Sequence, residues 1–269
     1  MRNLRLMAAF TLREVFHAPV FRLLVALSLL LNLAGLVIAK LFLLETIKVL
    51  GDILWLGNGL LLMMYTLFLG CTLFGRDLGE YVVHFFVPAM SREAYFAGRL
   101  LGLACGLLLL LSLQAFEGMA ALALHRADAP PVPLTHAISM AAPWLLFLLA
   151  LLWGLAALGI LAFVCSWATA QAEMLTFSAA FLVLFAWTPE VLSFLQNPDV
   201  ASQTPAIVQS LLKALGWIMP AVTPGDLALA IVHAIPLNAG DWLATGATSV
   251  GVSLITLVLG FLLLKRRPL

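Results

Sequence analysis

The sequence predicts an all-α polytopic membrane protein with six transmembrane helices, on three observations. The 269-residue chain is 64% hydrophobic and 10% charged, with a mean hydropathy of +1.10, whereas a soluble domain is about half apolar and about a quarter charged. Several apolar runs reach the ~20 residues needed to cross ~30 Å of hydrocarbon. The runs are continuous and rich in Leu and Ala, without the alternation of a β-barrel strand. One transmembrane domain over residues 1–269 follows.

The segment before the first span, RNLRLMAAFTLREVFHAP, has the pattern of an amphipathic interfacial helix. Leu4, Met7, Ala8, Leu12 and Val15 share a face, with Arg13 and His17 opposite and Leu6 and Phe10 off the pattern. Pro19 breaks it from the first span. The simpler alternative is a positive flank that fixes topology. Spans are expected near Phe21–Leu44, Ile53–Phe74, Leu100–Leu124, Ile138–Cys165, Met174–Phe194 and Trp242–Leu264. The apolar run from Ile138 to Trp187 is too long for one crossing and turns at its polar dip, SWATAQAE.

Orientation follows from Lys and Arg near the span ends. With the N-terminus inside, ten basic residues fall on the cytoplasmic side and only Lys40, Lys48, Arg126 and Lys213 outside. Both termini are therefore expected in the cytoplasm, as an even number of spans requires. The charged stretch reaching Arg22 is too long for a signal-peptide n-region, and no A-x-A site follows it. Cys71, Cys105 and Cys165 sit singly in three spans and are expected as small buried apolar residues.

Outside, HRADAPPVPLTHA is a Pro-rich link, and residues 196–241 form a longer extracytoplasmic segment. AIVQSLLKALGWIM has a helical apolar stripe, and TPGD starts a second short helix, with Thr223 as N-cap, Pro224 at N1 and Asp226 at N3. Two short helices parked at the outer interface are preferred over a re-entrant hairpin.

The segment between spans two and three, residues 76–99, differs from a polar loop. Arg76, Asp77 and Glu80 open it, and Arg92, Glu93 and Arg99 close it. Tyr81 and Phe85 are spaced i,i+4, as are Val82 and Phe86, so a short helix would carry an aromatic ridge until Pro88 ends it. Ser91 is placed to cap the next helix. The ridge anchors at headgroup level or docks into a cytoplasmic partner.

Here the chain resembles the permease subunit of ABC type-2 transporters, in particular the branch linked with multicopper-enzyme maturation, the nitrous-oxide-reductase accessory permeases. The matching features are an elbow helix over residues 1–19 (TLREVFHAPVFR), the Lys48-x-x-x-Asp52 approach to span two, and the acidic exit GRDLGE. PAMSREAYFAGRLLG adds Pro88, Ser91, Arg92, Gly98, Arg99 and Gly102, and LGWIMP is similar to a late outer motif. Pro88 lies one residue further from Ser91 than usual, Arg99 stands for Lys, and Asp77 stands where Glu is commoner. Sharp matching covers about Lys48–Gly102.

The resemblance implies a coupling helix near Leu78–Val87 resting on a cytoplasmic ABC ATPase subunit, with Asp77, Glu80, Tyr81, Phe85, Phe86, Pro88, Ser91 and Arg92 as coupling residues. It implies a second copy of the chain, an inner-membrane location, an extracytoplasmic partner for some members, and ATP and Mg bound by the partner subunit rather than here. Export, or force applied across the membrane, fits the family better than import.

Within the spans, Glu117 is the one acidic residue in a predicted interior, with Gln114 three residues earlier on the same face. A charge there costs a few kcal/mol unless paired or hydrated. Glu117 and Gln114 are expected as interhelical polar glue or as pathway residues; Asn32 and Asn58 are weaker cases. Gly98-x-x-x-Gly102-x-x-x-Gly106 and Thr245, Ser249 and Ser253 read as packing faces. No P-loop, H-E-x-x-H or G-x-S-x-G motif occurs. Scattered His and Met residues make no case for a resident metal or a copper path, and no soluble basic domain points to nucleic acid. The rivals are an intramembrane lipid-modifying enzyme using Glu117, which needs a second polar group at that depth and has none convincing, and a non-transporting scaffold or mechanotransmitter.

Overall fold

The computed structural model describes residues 2–41, 46–79, 90–128, 140–195, 205, 207–210, 224–236 and 238–266, and these residues are helical with no strand among them. In chain order the helices are α1 (Arg2–His17), α2 (Pro19–Ala39), α3 (Thr46–Met64), α4 (Cys71–Gly79), α5 (Arg92–Asp128), α6 (Ala142–Trp167), α7 (Gln171–Leu195), α8 (Pro224–Val232) and α9 (Ala239–Arg266). A π-helical turn, Tyr65–Gly70, joins α3 to α4 without a break. Six helical stretches are long and apolar enough to span a bilayer, centred where the sequence put them. The chain is a multi-pass helical membrane protein.

The expected ends shift for local reasons. Gly51 and Asp52 do not interrupt α3, so the Lys48–Asp52 approach lies inside the helix. α5 starts at Arg92, as the Ser91 cap led one to expect, and runs on into the third span: the Ala94 N–H donates to Ser91 Oγ at 3.2 Å. At the turn between α6 and α7, Glu173 reaches back to accept from the Thr169 N–H at 2.8 Å and the Thr169 hydroxyl at 2.9 Å. That carboxylate satisfies donors left open at a helix N-terminus.

The amphipathic helix α1 forms, and its buried residues are Met7, Thr11 and Val15. Leu6 and Phe10, the residues off the pattern, are exposed. The buried face lies against the glycine ladder of α5. A Cβ at Gly98 would meet Met7 Cβ at 2.6 Å, one at Gly102 would meet Thr11 Cβ at 2.5 Å, and one at Gly106 would meet Val15 Cγ1 at 3.0 Å. Contacts advance four residues on each helix, so α1 and α5 run side by side in the same direction. The stripe expected to face lipid thus largely faces protein, and Thr11 replaces Leu12 at its centre because a short side chain fits over Gly102.

α9 packs on α6 in the same close fashion. Thr245 and Ser249 are buried, Ser253 Oγ donates to Leu155 O at 3.2 Å, and a Cβ at Gly159 would meet the Ser253 backbone at 3.0 Å. The hydroxyl ladder is a packing face within the chain. The main core gathers Leu61, Leu62, Tyr65, Leu103, Leu107, Leu110, Leu158 and Leu161 between α3, the π turn, α5 and α6. Cys71 and Cys165 are buried as expected, but Cys105 is exposed.

At one end of the bundle, Lys265 pairs with Glu93 at 3.0 Å and Gln171 packs on Gly75. The chain N-terminus, the link between α4 and α5, the α6–α7 turn and the end of α9 therefore share that end, as six alternating crossings demand. At the other end α8 begins at Pro224, as expected, and buries Leu227, Ala228, Ile231 and Val232 against Leu54, Ala142, Leu146 and Leu149. Nine residues make a helix of about 13 Å, too short to cross. It wedges between the spans on one face. Residues 207–210 are helical; Thr223, Leu211–Met219 and LGWIMP lie outside the described residues.

The ladder predicts a position-specific penalty. Gly102→Val is expected to cost about 1–3 kcal/mol through overpacking, read as a lower unfolding temperature of the purified protein in detergent. Gly251→Ala, with open space around its Cβ, leaves stability unchanged or slightly raised. Equal losses for the two would dismiss the α1–α5 contact.

Candidate functional site

The densest polar cluster lies where the segment between α4 and α5 joins the bundle. Arg99, next to the first glycine of the ladder, has a side chain 0% exposed, and Asp77 near the end of α4 is 1% exposed. Arg99 Nε and Nη2 donate to Asp77 Oδ2 and Oδ1 at 2.7 and 2.8 Å, a two-pronged fit of guanidinium to carboxylate. The third nitrogen, Nη1, donates to Glu14 of α1 and to Thr11 Oγ1 at 3.3 Å. Tyr95 donates its hydroxyl to Asp77, and Arg76 donates to the other Glu14 oxygen. The Phe10 and Tyr95 rings lie 5.6 and 5.9 Å from the guanidinium carbon, within cation–π range.

Two guanidinium groups and two carboxylates sum to zero charge. Desolvating each ion costs several kcal/mol, which only good geometry and full hydrogen bonding offset; Arg99 has both. Local sequence positions every member. Tyr95 and Arg99 are four residues apart on α5 and face the same way. Thr11 and Glu14 are three apart on α1, with Thr11 turned inward by its hydroxyl bond to Met7 O at 2.9 Å. The cluster therefore ties three helices together, α1, α4 and α5, and fixes both ends of the intervening segment.

Of the expected coupling residues, Asp77 is buried, and its bonds to Arg99 and Tyr95 turn it inward. Its position makes it a strut beneath the segment. Ser91 caps α5 and is exposed, and Arg92 follows it. Glu80, Tyr81, Phe85, Phe86 and Pro88 lie outside the described residues. Glu14, Thr11 and Tyr95 were missed. The available signal was Glu14 as the single acid in an N-terminal stretch holding Arg2, Arg5, Arg13 and Arg22.

A second polar group lies further along α5. Glu117 Oε2 accepts from Ser28 Oγ at 2.6 Å and from Asn32 Nδ2 at 3.0 Å. Asn32 Nδ2 also lies 3.0 Å from Gln114 Oε1, which the Ser28 hydroxyl contacts as well. Asn32, Gln114 and Glu117 thus meet around Ser28, which was not singled out. Asn58 on α3 is buried, and its Oδ1 has no hydrogen-bond partner among the described residues. Gln114 presses against the α3 backbone, its Nε2 2.8 Å from where a Cβ on Gly57 would lie.

The knot supplies the polar neighbours at the depth of Glu117 that an intramembrane enzyme would need. Ser28 is 0% and Gln114 1% exposed, so the hydroxyl is closed to a substrate and the arrangement reads as interhelical glue. Tyr65 adds another such bond, donating to Leu103 O at 2.7 Å from the π turn. No grouping of three or more metal-ligating side chains exists among the described residues. In comparisons with known proteins, no family model matches the chain and no curated protein matches it.

Breaking the Arg99 pairing leaves the buried Asp77 without its close cation and Glu14 with Arg76 alone. Arg99→Met is expected to destabilise the protein by about 3–5 kcal/mol, whereas Lys265→Ala, which removes the exposed pair with Glu93, costs less than about 1 kcal/mol. Thermal unfolding of both variants checks this. Similar small losses would mean that water reaches Arg99.

Proposed function

We propose that the chain is the membrane-spanning permease subunit of an ATP-binding cassette transporter. It resides in the inner membrane with both termini in the cytoplasm, and catalyses no reaction itself. A separate cytoplasmic subunit binds ATP and Mg, and a second copy of the chain completes the pathway. Residues 80–89, carrying Tyr81, Phe85 and Phe86, meet the ATPase. Nucleotide-driven motion there shifts the spans between two packed arrangements.

The observation that carries this reading is the Asp77–Arg99–Glu14 tie. A segment that only anchors at the headgroups needs no buried ion cluster at its ends. A segment that receives force needs rigid attachment, and this one is bound to α1, α4 and α5 at once. The clustering of basic residues toward that end supports the cytoplasmic assignment. The sequence resemblance over Lys48–Gly102 supports the class of partner. Export or force transmission remains the expected direction of work.

The test is co-expression with a cytoplasmic ABC ATPase subunit that co-purifies with the unmodified chain. Phe85→Ala with Phe86→Ala is expected to lower co-purification at least tenfold while the chain stays folded, since buried aromatic anchors carry much of a small interface. Undiminished complex, with ATP hydrolysis still responsive to the membrane subunit, would contradict the reading.

A further inference from the structure

Between α1, α2 and α5 an open groove of about 450 Å3 runs along the outward side of the bundle. Phe21, Val25, Leu29 and Leu113 form its apolar walls, and its two charged groups are Arg22 and Glu117. Arg22, in the first turn of α2, is exposed and makes no ion pair among the described residues. Glu117 is held by Ser28, six residues beyond Arg22, or about 9 Å along the helix. Its Oε2 is occupied by Ser28 and Asn32, while Oε1 makes no hydrogen bond among the described residues. The groove therefore presents a cation at the end of the span, an apolar floor, and a fixed hydrogen-bond acceptor deeper in.

We propose that this groove is a binding site for a phosphorylated amphiphile bearing an amide N–H or hydroxyl below its phosphate. The phosphate pairs with Arg22, whose flexible stem adjusts to its height. The hydrocarbon chain lies along Val25, Leu29 and Leu113. The N–H or O–H donates to Glu117 Oε1. Charge and hydrogen-bond complementarity select this occupant over an ordinary diacylglycerol phosphate, whose ester carbonyls accept hydrogen bonds and offer Glu117 no donor. An uncharged amphiphile with the same donors leaves Arg22 unmatched. Binding here requires no ATPase partner, so its outcome is separate from that of the complex-formation test.

The test uses the purified full-length chain and three lipids of matched chain length. Ceramide 1-phosphate carries both the phosphate and the donors, phosphatidic acid the phosphate alone, and ceramide the donors alone. Retention is read by native mass spectrometry. Ceramide 1-phosphate is expected to bind about tenfold more tightly than either of the others, the scale of one charge-assisted hydrogen bond or ion contact. Arg22→Gln removes its advantage over ceramide, and Glu117→Leu removes its advantage over phosphatidic acid. Ala26→Trp, which fills the groove from its wall without replacing either charged group, abolishes retention of all three; it decides the matter if Glu117→Leu fails to fold. Equal retention of ceramide 1-phosphate and phosphatidic acid, or binding that survives Ala26→Trp, would overturn the proposal.

Discussion

A guanidinium with no exposed surface is the constraint on which the rest of this structure depends. Arg99 stays charged inside a bundle of apolar helices because Asp77 takes two of its donors and Glu14 another. Removing any one partner leaves an uncompensated charge, so the three helices that supply the partners must stay together. The glycine ladder makes this feasible. Only with hydrogen at Gly98 and Gly102 does α1 come close enough for Thr11 and Glu14 to reach Arg99. Close packing and ion pairing are two aspects of one contact.

The same register continues along α5. α1 meets it from Gly98 to Gly106, the chain steps at Ala18, and α2 takes over at Gln114 and Glu117 through Ser28 and Asn32. Two polar layers are thus stacked on one helix, joined by an apolar stretch that includes Leu107, Leu110 and Leu111. The first layer fastens the link between α4 and α5. The second pins α2 to α5 beside the groove. A shift of α5 along its axis would be felt at both, which gives the long third span a means of relating one end of the bundle to its interior. The π turn at Tyr65 sits between them, with its hydroxyl on Leu103 O.

Much of the architecture was legible because it rests on local signals. Continuous apolar runs marked the six spans, Ser91 marked a cap, Pro224 a helix start, and fourfold spacing of small residues marked the two packing faces. The site was only half legible. Glu117 and Gln114 stood out because polar groups are rare at that depth, but Ser28, lost in a run of leucines, did not. Asp77 was visible as a charge, yet its inward direction depends on Glu14 and Arg99, separated from each other by 85 residues. Periodicity marked most of the buried face of α1, Met7 and Val15 among it, but not its centre. Leu12 and Thr11 both fit a helical stripe, and Gly102 on a different helix decides between them. The π turn follows from tertiary packing and left no mark in composition.

The central claim is that Arg99 makes α1, the end of α4 and the start of α5 one mechanical unit. Hydrogen–deuterium exchange on the purified chain carrying Asp77→Asn tests it most directly. The account predicts faster exchange in residues 2–17 and 91–99 together with the end of α4, because losing one carboxylate loosens all three. Faster exchange confined to residues 71–79, with α1 as protected as before, would contradict it.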